Sequence, residues 1–333
     1  MDTCIDALAV KGVVMESADF TRKIRTALTP CSLGVWPTPL DAAATGLWIK
    51  REDRSSAVYG GNKVRGLEFL LARLPSHAAL VTVGGWGSTH CLATTVHAHA
   101  LGYRVALAQF PQGRSETGDA VARACRERAD VCLRANRWTG FPGALVRAWR
   151  RAQAMGSRRW IPGGGARADA VVGQMLGGFE IEAQLPDAPA AIVVPLGSGG
   201  TAAGLLLAVA ALGWPTRVVA VRVAPAIVAN GFRVRSLARS ARRLLARHGL
   251  DVPAPRFGGL RVLDGIGRGY GYPTVAGEAA RERARALGLT LDSTYGGKAF
   301  AALAHPELRG LDRIVFWHTY APLDGLPPAG GPR

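Results

Sequence analysis

Residues 58–70 are Val58-Tyr59-Gly60-Gly61-Asn62-Lys63-Val64-Arg65-Gly66-Leu67-Glu68-Phe69-Leu70, and the rest of the chain is organised around them. The two glycines permit turn conformations closed to other residues, and the asparagine after them is a favoured helix N-cap. Val64, Leu67 and Leu71 are spaced so that they share one helical face. The stretch therefore predicts a Gly-rich turn and then a helix with Lys63 on its first turn.

This predicted place is a poor one for a charged lysine. The amino end of a helix carries partial positive charge, which favours anions and gives a cation nothing. A neutral amine, or a lysine bonded covalently to an anionic group, suits the position better. The alternative is an ordinary surface lysine that follows a loop, and the remaining motifs have to decide between the two.

Length and composition indicate a globular protein of roughly two domains. The 333 residues are 48% hydrophobic and carry a net charge of +17. The basic residues are spread along the chain, and the densest run, 232–250, has the spacing of an amphipathic helix. Since no nucleic-acid-binding motif accompanies it, we predict no nucleic-acid partner. The positive potential would favour an anionic substrate or cofactor.

Cysteine usage and hydropathy predict a soluble cytoplasmic protein. The five cysteines show neither CxxC nor zinc spacing, which fits a reducing compartment and predicts no metal site. Asp2 and Asp6 interrupt the N-terminal segment, so it is not a signal peptide. The longest apolar run, 202–214, is shorter than the about 18 residues of a membrane span. We therefore predict no association with a membrane.

Apolar runs alternate with amphipathic ones beyond residue 70, the pattern of a parallel α/β layer. The predicted strands are 47–50, 79–83, 104–110, 130–133, 160–162, 191–196, 217–223 and 314–317. The predicted helices are 20–28, 91–100, 119–128, 142–155, 171–184, 202–212, 232–250 and 277–287. We also expect a strand and a helix to flank residues 292–295, and a loose tail at 323–333.

The loop Gly197-Ser198-Gly199-Gly200-Thr201 joins a predicted buried strand to a predicted helix. Backbone N–H groups and the helix dipole make such a loop an anion site. It lacks the Gly-Lys-Ser/Thr of a Walker A loop. A dinucleotide fingerprint fits positions 197, 199 and 202, but no acidic residue for the ribose occurs before Asp251. An NADP variant using Arg222 is weaker than a lone phosphate, and a purely structural tight turn is the other alternative.

A lysine suited to covalent attachment and a phosphate cradle together suggest pyridoxal phosphate (PLP), which binds through a lysine Schiff base and acts as an electron sink. Residues 85–90, Gly-Trp-Gly-Ser-Thr-His, form a second anion site at a predicted helix start, suited to a substrate carboxylate. Tyr270 and Tyr295 lie in Gly-flanked loops. They are candidates for proton transfer, although each alone could be a packing residue.

With these motifs, the chain resembles the family of PLP-dependent enzymes that includes D-cysteine desulfhydrase and 1-aminocyclopropane-1-carboxylate deaminase. The resemblance implies fold type II, the tryptophan-synthase-β fold, with two parallel-sheet α/β domains and the cofactor in the cleft between them. The matching segments run in the family's order along nearly the whole chain: 38–40, 50–53, 60–69, 84–90, 162–164, 197–204, 270–273, 295–298 and 318–319.

The resemblance also implies roles for individual residues. Lys63 would form the Schiff base and move the α-proton. The implied catalytic residues are Lys63, Ser88, Tyr270 and Tyr295. The implied cofactor-binding residues are Asn62, Lys63, Thr89, Gly197, Ser198, Gly199, Gly200, Thr201 and Thr319. The implied substrate-binding residues are Ser88, Thr89, His90, Tyr270 and Tyr295.

Three departures from the family pattern bear on the reaction. Thr89 stands where asparagine is usual, and Tyr320 stands where glycine is usual. Gly296 replaces the glutamate that faces the pyridine nitrogen in the cyclopropane deaminases. Without that carboxylate the ring is a weaker electron sink, which disfavours cyclopropane opening and favours β-elimination of a good leaving group. Thr319 would then offer a hydroxyl to the nitrogen.

The sequence therefore predicts a PLP-dependent carbon–sulfur lyase or deaminase acting by β-elimination on a small amino acid, with D-cysteine or a related sulfur amino acid as substrate. The alternatives are β-replacement or a cyclopropane-deaminase-like reaction on an unusual amino acid, and a PLP-binding protein without turnover. We expect a larger PLP-binding domain at 1–66 plus 180–333, and a smaller mobile domain at 67–179. The resemblance also implies a homodimer.

Overall fold

The computed structural model describes residues 16–326. Its strands are β1 (Leu40–Ala44), β2 (Leu47–Arg51), β3 (Ala78–Gly85), β4 (Arg104–Phe110), β5 (Val131–Arg134), β6 (Ser157–Ile161), β7 (Ala191–Leu196), β8 (Arg217–Arg222), β9 (Leu260–Asp264) and β10 (Ile314–His318). Its α-helices are α1 (Ser17–Leu28), α2 (Lys63–Leu70), α3 (Thr89–Ala100), α4 (Glu116–Arg128), α5 (Phe141–Gln153), α6 (Ala168–Gln184), α7 (Gly200–Ala211), α8 (Gly231–Ala246), α9 (Val275–Ala286) and α10 (Gly296–Ala301).

The larger sheet has six strands in the order β1-β2-β10-β7-β8-β9. Only β1 runs antiparallel to its neighbour; the other pairs are parallel. Strand β10, from near the end of the described chain, lies between β2 and β7 and pairs His318 with Arg51. The carboxyl ends of these parallel strands share one edge, so the loops after β7 and β10 come together there.

The smaller sheet has four parallel strands in the order β5-β4-β3-β6. Gly85 pairs with Phe110 at the carboxyl ends of β3 and β4. The loops that leave this edge are 86–88, 111–115, 135–140 and 162–167. Two mainly parallel sheets with helices confirm the predicted fold class of two α/β domains. The predicted domain bounds stay a prediction; residues 66 and 179 lie inside helices α2 and α6.

Helix α7 is the apolar helix of the core and packs against α6. Its leucines Leu205, Leu206 and Leu207 are at most 1% exposed, and each such burial contributes about 1.5–3 kcal/mol. Gly204 lets the two helices approach closely, because a Cβ there would stand 2.4 Å from that of Gln174. The apolar run 202–214 is thus core. Among residues 16–326, no helix has the length and apolarity needed to cross a membrane.

All predicted elements except one strand overlap observed ones, with boundaries that differ by a few residues. Helix α4 begins earlier than predicted, at Glu116, because the Ser115 side chain caps it by accepting from Gly118 N. Two strands, β1 and β9, were not predicted. The strand expected just before residue 292 is wrong, since that segment joins no sheet. The predicted tail at 323–333 is described only to residue 326, and residues 1–15 also lie outside the described part.

Candidate active site

The turn before Lys63 needs both of its glycines. A Cβ on Gly60 would lie 2.1 Å from the carbonyl oxygen of Asp53, so no larger residue fits. Gly61 has φ +101°, in the left-handed region that favours glycine, and its N–H donates to the Glu52 carbonyl at 2.7 Å. Helix α2 begins directly afterwards at Lys63. The predicted Gly-rich turn and the place of Lys63 on the first helical turn are confirmed.

The side chain of Asn62 does not cap helix α2, so the N-cap prediction is wrong in this respect. Its side-chain amide nitrogen instead donates to Thr201 Oγ1 at 2.8 Å, and the backbone carbonyl oxygen of Asn62 accepts from Gln174 Nε2 at 2.6 Å. The backbone N–H of Asn62 donates to the carbonyl of Thr319 at 3.2 Å. Asn62 therefore ties the start of α2 to the start of α7 and to the end of β10.

A buried charge network fixes α2 in place two residues after Lys63. The Arg65 guanidinium contacts Glu52 Oε2 and Glu180 Oε2, each at 2.7 Å, and lies 3.9 Å from the centre of the Trp36 ring. Lys50 Nζ reaches the same Glu180 oxygen at 2.7 Å. Strand β2, helix α2 and helix α6 are joined through these ions. The network gives a structural role to residues 50–53 and 65, which the sequence analysis had only matched to the family pattern.

The amine of Lys63 is shifted toward its neutral form, and the cause is burial, whereas the sequence argument relied on the helix dipole. Burial lowers the pKa of its amine to about 8, because a desolvated ammonium is penalised relative to the neutral amine. The neighbouring His90 is buried, and its pKa is lowered to about 3, first by burial and then by the charge of Lys63. His90 is therefore neutral, with Nε2 2.9 Å from Thr82 Oγ1.

The predicted phosphate cradle lies beside this lysine. Gly199 has φ +91° and leads into α7, whose first turn carries no acidic side chain. The exposed N–H groups of a helix start, together with its dipole, favour an anion there. Ser198 Oγ donates to the Gly164 carbonyl at 3.4 Å, which joins the cradle to the smaller sheet. Lys63, Gly200 and Thr201 border one small recess, so amine and cradle are adjacent.

A second helix start faces the same space from the smaller sheet. Ser88 is the N-cap of α3, and its hydroxyl accepts from Cys91 N at 3.3 Å. Thr89 is the first residue of the helix, and His90 is the second. Both Ser88 and Thr89 border the cavity described below. The helix start predicted for this segment is present and borders the cavity, and its role as an anion site stays a prediction.

The two predicted tyrosines meet. The phenol oxygens of Tyr270 and Tyr295 are hydrogen-bonded to each other. Burial is the main cause that raises the pKa of both groups, that of Tyr270 to about 12. Each phenol therefore keeps its proton at neutral pH and can act as a proton donor.

Asp292, which sequence analysis did not select, shapes the wall beside Tyr295. Its carboxylate accepts from the backbone N–H groups of Thr294, Tyr295 and Gly296 at 2.8–3.0 Å. Burial raises its pKa, and these hydrogen bonds oppose the rise. The carboxylate organises the loop that carries Tyr295. Its signal in the sequence was its position three residues before that tyrosine.

One cavity of about 870 Å³ connects all thirteen of the predicted site residues. These residues are Asn62, Lys63, Ser88, Thr89, His90, Gly197, Ser198, Gly199, Gly200, Thr201, Tyr270, Tyr295 and Thr319. The cavity lies between the carboxyl edges of the two sheets, where α/β proteins bind ligands. Sequence analysis missed the aromatic residues Phe110, Trp138 and Phe141 in the same wall. The roles of the thirteen stay predictions.

Comparison with known proteins identifies the family. A family model described as pyridoxal-phosphate dependent enzyme matches residues 31–319. The chain belongs to this family. Among curated relatives of this PLP-dependent enzyme, nocardicin C-9′ epimerase of Nocardia uniformis subsp. tsuyamanensis is 34% identical over 294 residues, covering 84% of this chain and 88% of the relative. D-cysteine desulfhydrase of Klebsiella pneumoniae subsp. pneumoniae is 30% identical over 310 residues, covering 85% and 91%.

Solved structures agree with the family assignment. An ACC (1-aminocyclopropane-1-carboxylate) deaminase homologue superposes with a TM-score of 0.74 at 26% identity, covering 90% of this chain and 94% of that one. A PLP-dependent aspartate racemase, at 16% identity and a TM-score of 0.62, shares the fold alone. The predictions of fold type II, of the cofactor and of an enzyme of the D-cysteine desulfhydrase and ACC deaminase group are confirmed.

The side chains of this PLP-dependent enzyme fit the cofactor. The cradle at 197–201 offers backbone donors for a phosphate at a helix start free of acidic side chains. Lys63 borders the same recess, and with a pKa of about 8 roughly a tenth of its amine is neutral and nucleophilic at pH 7. Thr319 borders the same cavity from the end of β10. We therefore expect Lys63 to hold the cofactor covalently and residues 197–201 to hold its phosphate.

Proposed function

We propose that this PLP-dependent enzyme is a lyase that eliminates the β-substituent of an amino acid, releasing a 2-oxo acid and ammonia. The observation that carries the proposal is the lysine amine of pKa about 8, adjacent to an anion cradle and bordering the same cavity as two protonated tyrosines. D-Cysteine or a related sulfur amino acid is the proposed substrate. Relatives named D-cysteine desulfhydrase, at 30–31% identity, support it.

The chain supplies the groups that the elimination needs. When bound, PLP supplies an electron sink for the electron pair left on the α-carbon. The Ser88 hydroxyl and the start of α3 orient the substrate carboxylate, and Lys63 Nζ takes the α-proton. The Cβ–S bond then breaks, and its electron pair leaves with sulfur. A phenol of the Tyr270–Tyr295 pair donates the proton that converts the leaving thiolate to a thiol. One water hydrolyses the released 2-aminoacrylate to the 2-oxo acid and ammonia.

Position 296 favours this reaction over cyclopropane opening. Gly296 brings no carboxylate to the cavity, and the carboxylate of Asp292 is engaged by three backbone N–H groups. A weaker electron sink suffices for a thiolate leaving group, whereas opening a carbon ring without such a leaving group needs a strong one. β-Replacement remains an alternative, because it begins with the same loss of the β-substituent.

Epimerisation at the α-carbon is the second candidate function. A relative 34% identical over most of both chains is named an epimerase. Epimerisation requires one group that removes the α-proton and another that returns a proton to the opposite face. Lys63 and the protonated Tyr270–Tyr295 pair are groups of these two kinds.

The test begins with the purified protein loaded with PLP. Visible absorbance should appear, and borohydride followed by peptide mass mapping should place the label on Lys63. Lys298 is the internal control, because its pKa is also about 8 but its amine donates to the Ile266 and Gly269 carbonyls. Lys63→Ala should remove both absorbance and activity, and unchanged absorbance and activity in this variant would contradict the proposal.

Substrates are then screened for release of a 2-oxo acid in D₂O, using D- and L-cysteine, cysteate, serine derivatives and the cyclopropane amino acid. Release from D-cysteine supports the proposal, and release from the cyclopropane compound alone supports the deaminase alternative. Deuterium incorporation with inversion but without release supports epimerisation. A protein that binds PLP and turns over none of these compounds would match the carrier alternative.

We further propose that the substrate is a free amino acid, that the protein acts in the cytoplasm and that it forms a homodimer without a nucleic-acid partner. The family supports an amino-acid substrate. Cysteines without disulfide partners among the described residues are compatible with a reducing compartment. Size-exclusion chromatography with light scattering would measure the oligomeric state.

A further inference from the structure

An aromatic cluster lines the part of the cavity supplied by the smaller sheet. Phe110, the last residue of β4, stacks on Trp138 with ring centres 4.8 Å apart and planes inclined by 21°. The same ring meets Phe141 edge-on at 5.5 Å and Tyr270 at 6.3 Å. The cluster thus continues from the proposed catalytic tyrosine to the rim of the cavity.

Trp138 is exposed although it is the largest apolar side chain at this rim. Its exposed fraction is 60%, and Ile227 and Val228, which line the same cavity from the larger sheet, are 88% and 48% exposed. Apolar groups on two walls of one cavity bury their surface when a ligand lies between them. None of these three side chains belongs to the hydrophobic cores formed by the described residues. Their apolar surface is therefore available to a ligand.

The cavity is also large for the smallest amino acids. Its volume of about 870 Å³ lies within the range of about 300–1,000 Å³ found for sites that bind drug-sized molecules. The cofactor would occupy the part between Lys63 and residues 197–201. The space beyond Tyr270 remains for the substrate side chain.

We propose that the substrate side chain carries an aromatic ring, and that Phe110 and Trp138 hold this ring with Ile227 on the facing wall. The inference rests on the proposed function and specifies its substrate class. In an elimination the ring is carried by the leaving sulfur, so the Cβ–S bond breaks to give an aromatic thiol. In an epimerisation the ring is attached to the α-carbon and stays there.

The test measures loss of the α-proton signal in D₂O by NMR, which reports removal of that proton whether the substrate is then eliminated or returned with deuterium. The aromatic probes are S-benzylcysteine and phenylglycine, and the small probes are cysteine and alanine, each as both enantiomers. We expect kcat/KM for the better aromatic probe to exceed that for the small probes by about tenfold or more, because burial of the ring contributes binding free energy. Trp138→Ala should lower the aromatic value about tenfold and change alanine within about twofold.

Two further variants separate ring recognition from damage to the fold. Trp138→Phe should restore most of the activity with the aromatic probe, since it keeps a ring beside Phe110. Trp160→Ala is the matched control, because Trp160 is a 41% exposed tryptophan that does not line the cavity. It should leave both probe classes unchanged.

The failures of the two proposals differ. Small probes that lose the α-proton faster than aromatic ones, or a Trp138→Ala variant that slows both classes equally, would overturn the aromatic inference and leave the proposed function standing. No loss of the α-proton from any amino acid, in a protein labelled by PLP at Lys63, would overturn the proposed function and the inference with it.

Discussion

The side-chain amide of Asn62 donates a hydrogen bond to the hydroxyl of Thr201, 2.8 Å away. The first residue precedes Lys63, the proposed Schiff-base lysine, and the second ends the proposed phosphate cradle. This contact between distant parts of the chain helps to hold the start of α2 beside the start of α7. Removing the amide leaves the buried Thr201 hydroxyl without this donor, so we expect the loss to weaken cofactor binding.

Asn62→Ala should raise the dissociation constant for PLP about fivefold, the equivalent of roughly 1 kcal/mol for a lost hydrogen bond. Equilibrium titration of the apoprotein, followed by visible absorbance, measures the effect. Asn230→Ala is the control, because Asn230 caps helix α8 through Arg233 N and does not line the cavity. An equal loss of affinity in both variants would show that the Asn62–Thr201 contact has no special part in binding.

The rate of covalent PLP capture by Lys63 should depend on pH with a midpoint near 8, because burial lowers the amine pKa to about 8 and only the neutral amine attacks. The rate constant should rise about tenfold between pH 6 and 7 and level off above 8. Stopped-flow absorbance gives the profile. The rate for Nα-acetyl-lysine, whose ε-amine has an ordinary pKa, should keep rising to about pH 10. An identical pH profile for the protein would refute the lowered pKa of Lys63.

Removing either phenol of the tyrosine pair should slow turnover. Tyr270→Phe and Tyr295→Phe are each expected to lower kcat about 10²-fold, since each removes a proton donor or its hydrogen-bonded partner. Because the two groups act as a unit, the double variant should be little slower than the slower single one. Tyr103→Phe removes a hydroxyl that donates to the Leu74 carbonyl outside the cavity, and it should leave kcat unchanged. If the fold-losses in kcat of the two single variants multiply in the double variant, the two hydroxyls act independently.

Arg65→Met should lower the free energy of unfolding by about 3–5 kcal/mol, because it leaves Glu52 and Glu180 as buried charges without their shared partner. Urea unfolding followed by circular dichroism measures it. Arg261→Ala, which breaks an ion pair with Glu307 at the surface, should cost no more than about 1 kcal/mol. Similar losses in the two variants would show that the buried network contributes no more than a surface pair.

The sequence predicted the strands and helices well because buried parallel strands are short apolar runs bounded by glycines and charges. It failed before Asp292, where the Leu289 N–H donates to the Ala284 carbonyl and the Leu291 carbonyl accepts from Arg281 Nε, so these backbone groups are paired without a strand ladder. It also misassigned the side chain of Asn62, since a helix cap is a local pattern, whereas the contact with Thr201 depends on the packing of α2 near α7.

The candidate site was predictable where chemistry leaves a motif, as in the lysine turn and the Gly-rich cradle. The aromatic wall leaves no such pattern. Phe110 ends one strand and Trp138 follows the neighbouring strand, so the two rings meet only because β4 and β5 pair side by side. A lone aromatic residue in a sequence is more often a packing residue, and only the fold shows that these border a cavity.

The charge network around Arg65 and the aromatic wall around Trp138 differ in what they tolerate. The first is buried and interlocked, so a single replacement in it strands a charge and endangers the whole fold. In the second, Trp138 is an exposed residue outside the core, where replacement costs little stability. Substrate preference can therefore change without endangering the fold, so a laboratory evolution campaign should randomise 136–140 and 225–228 while keeping 50–65 intact.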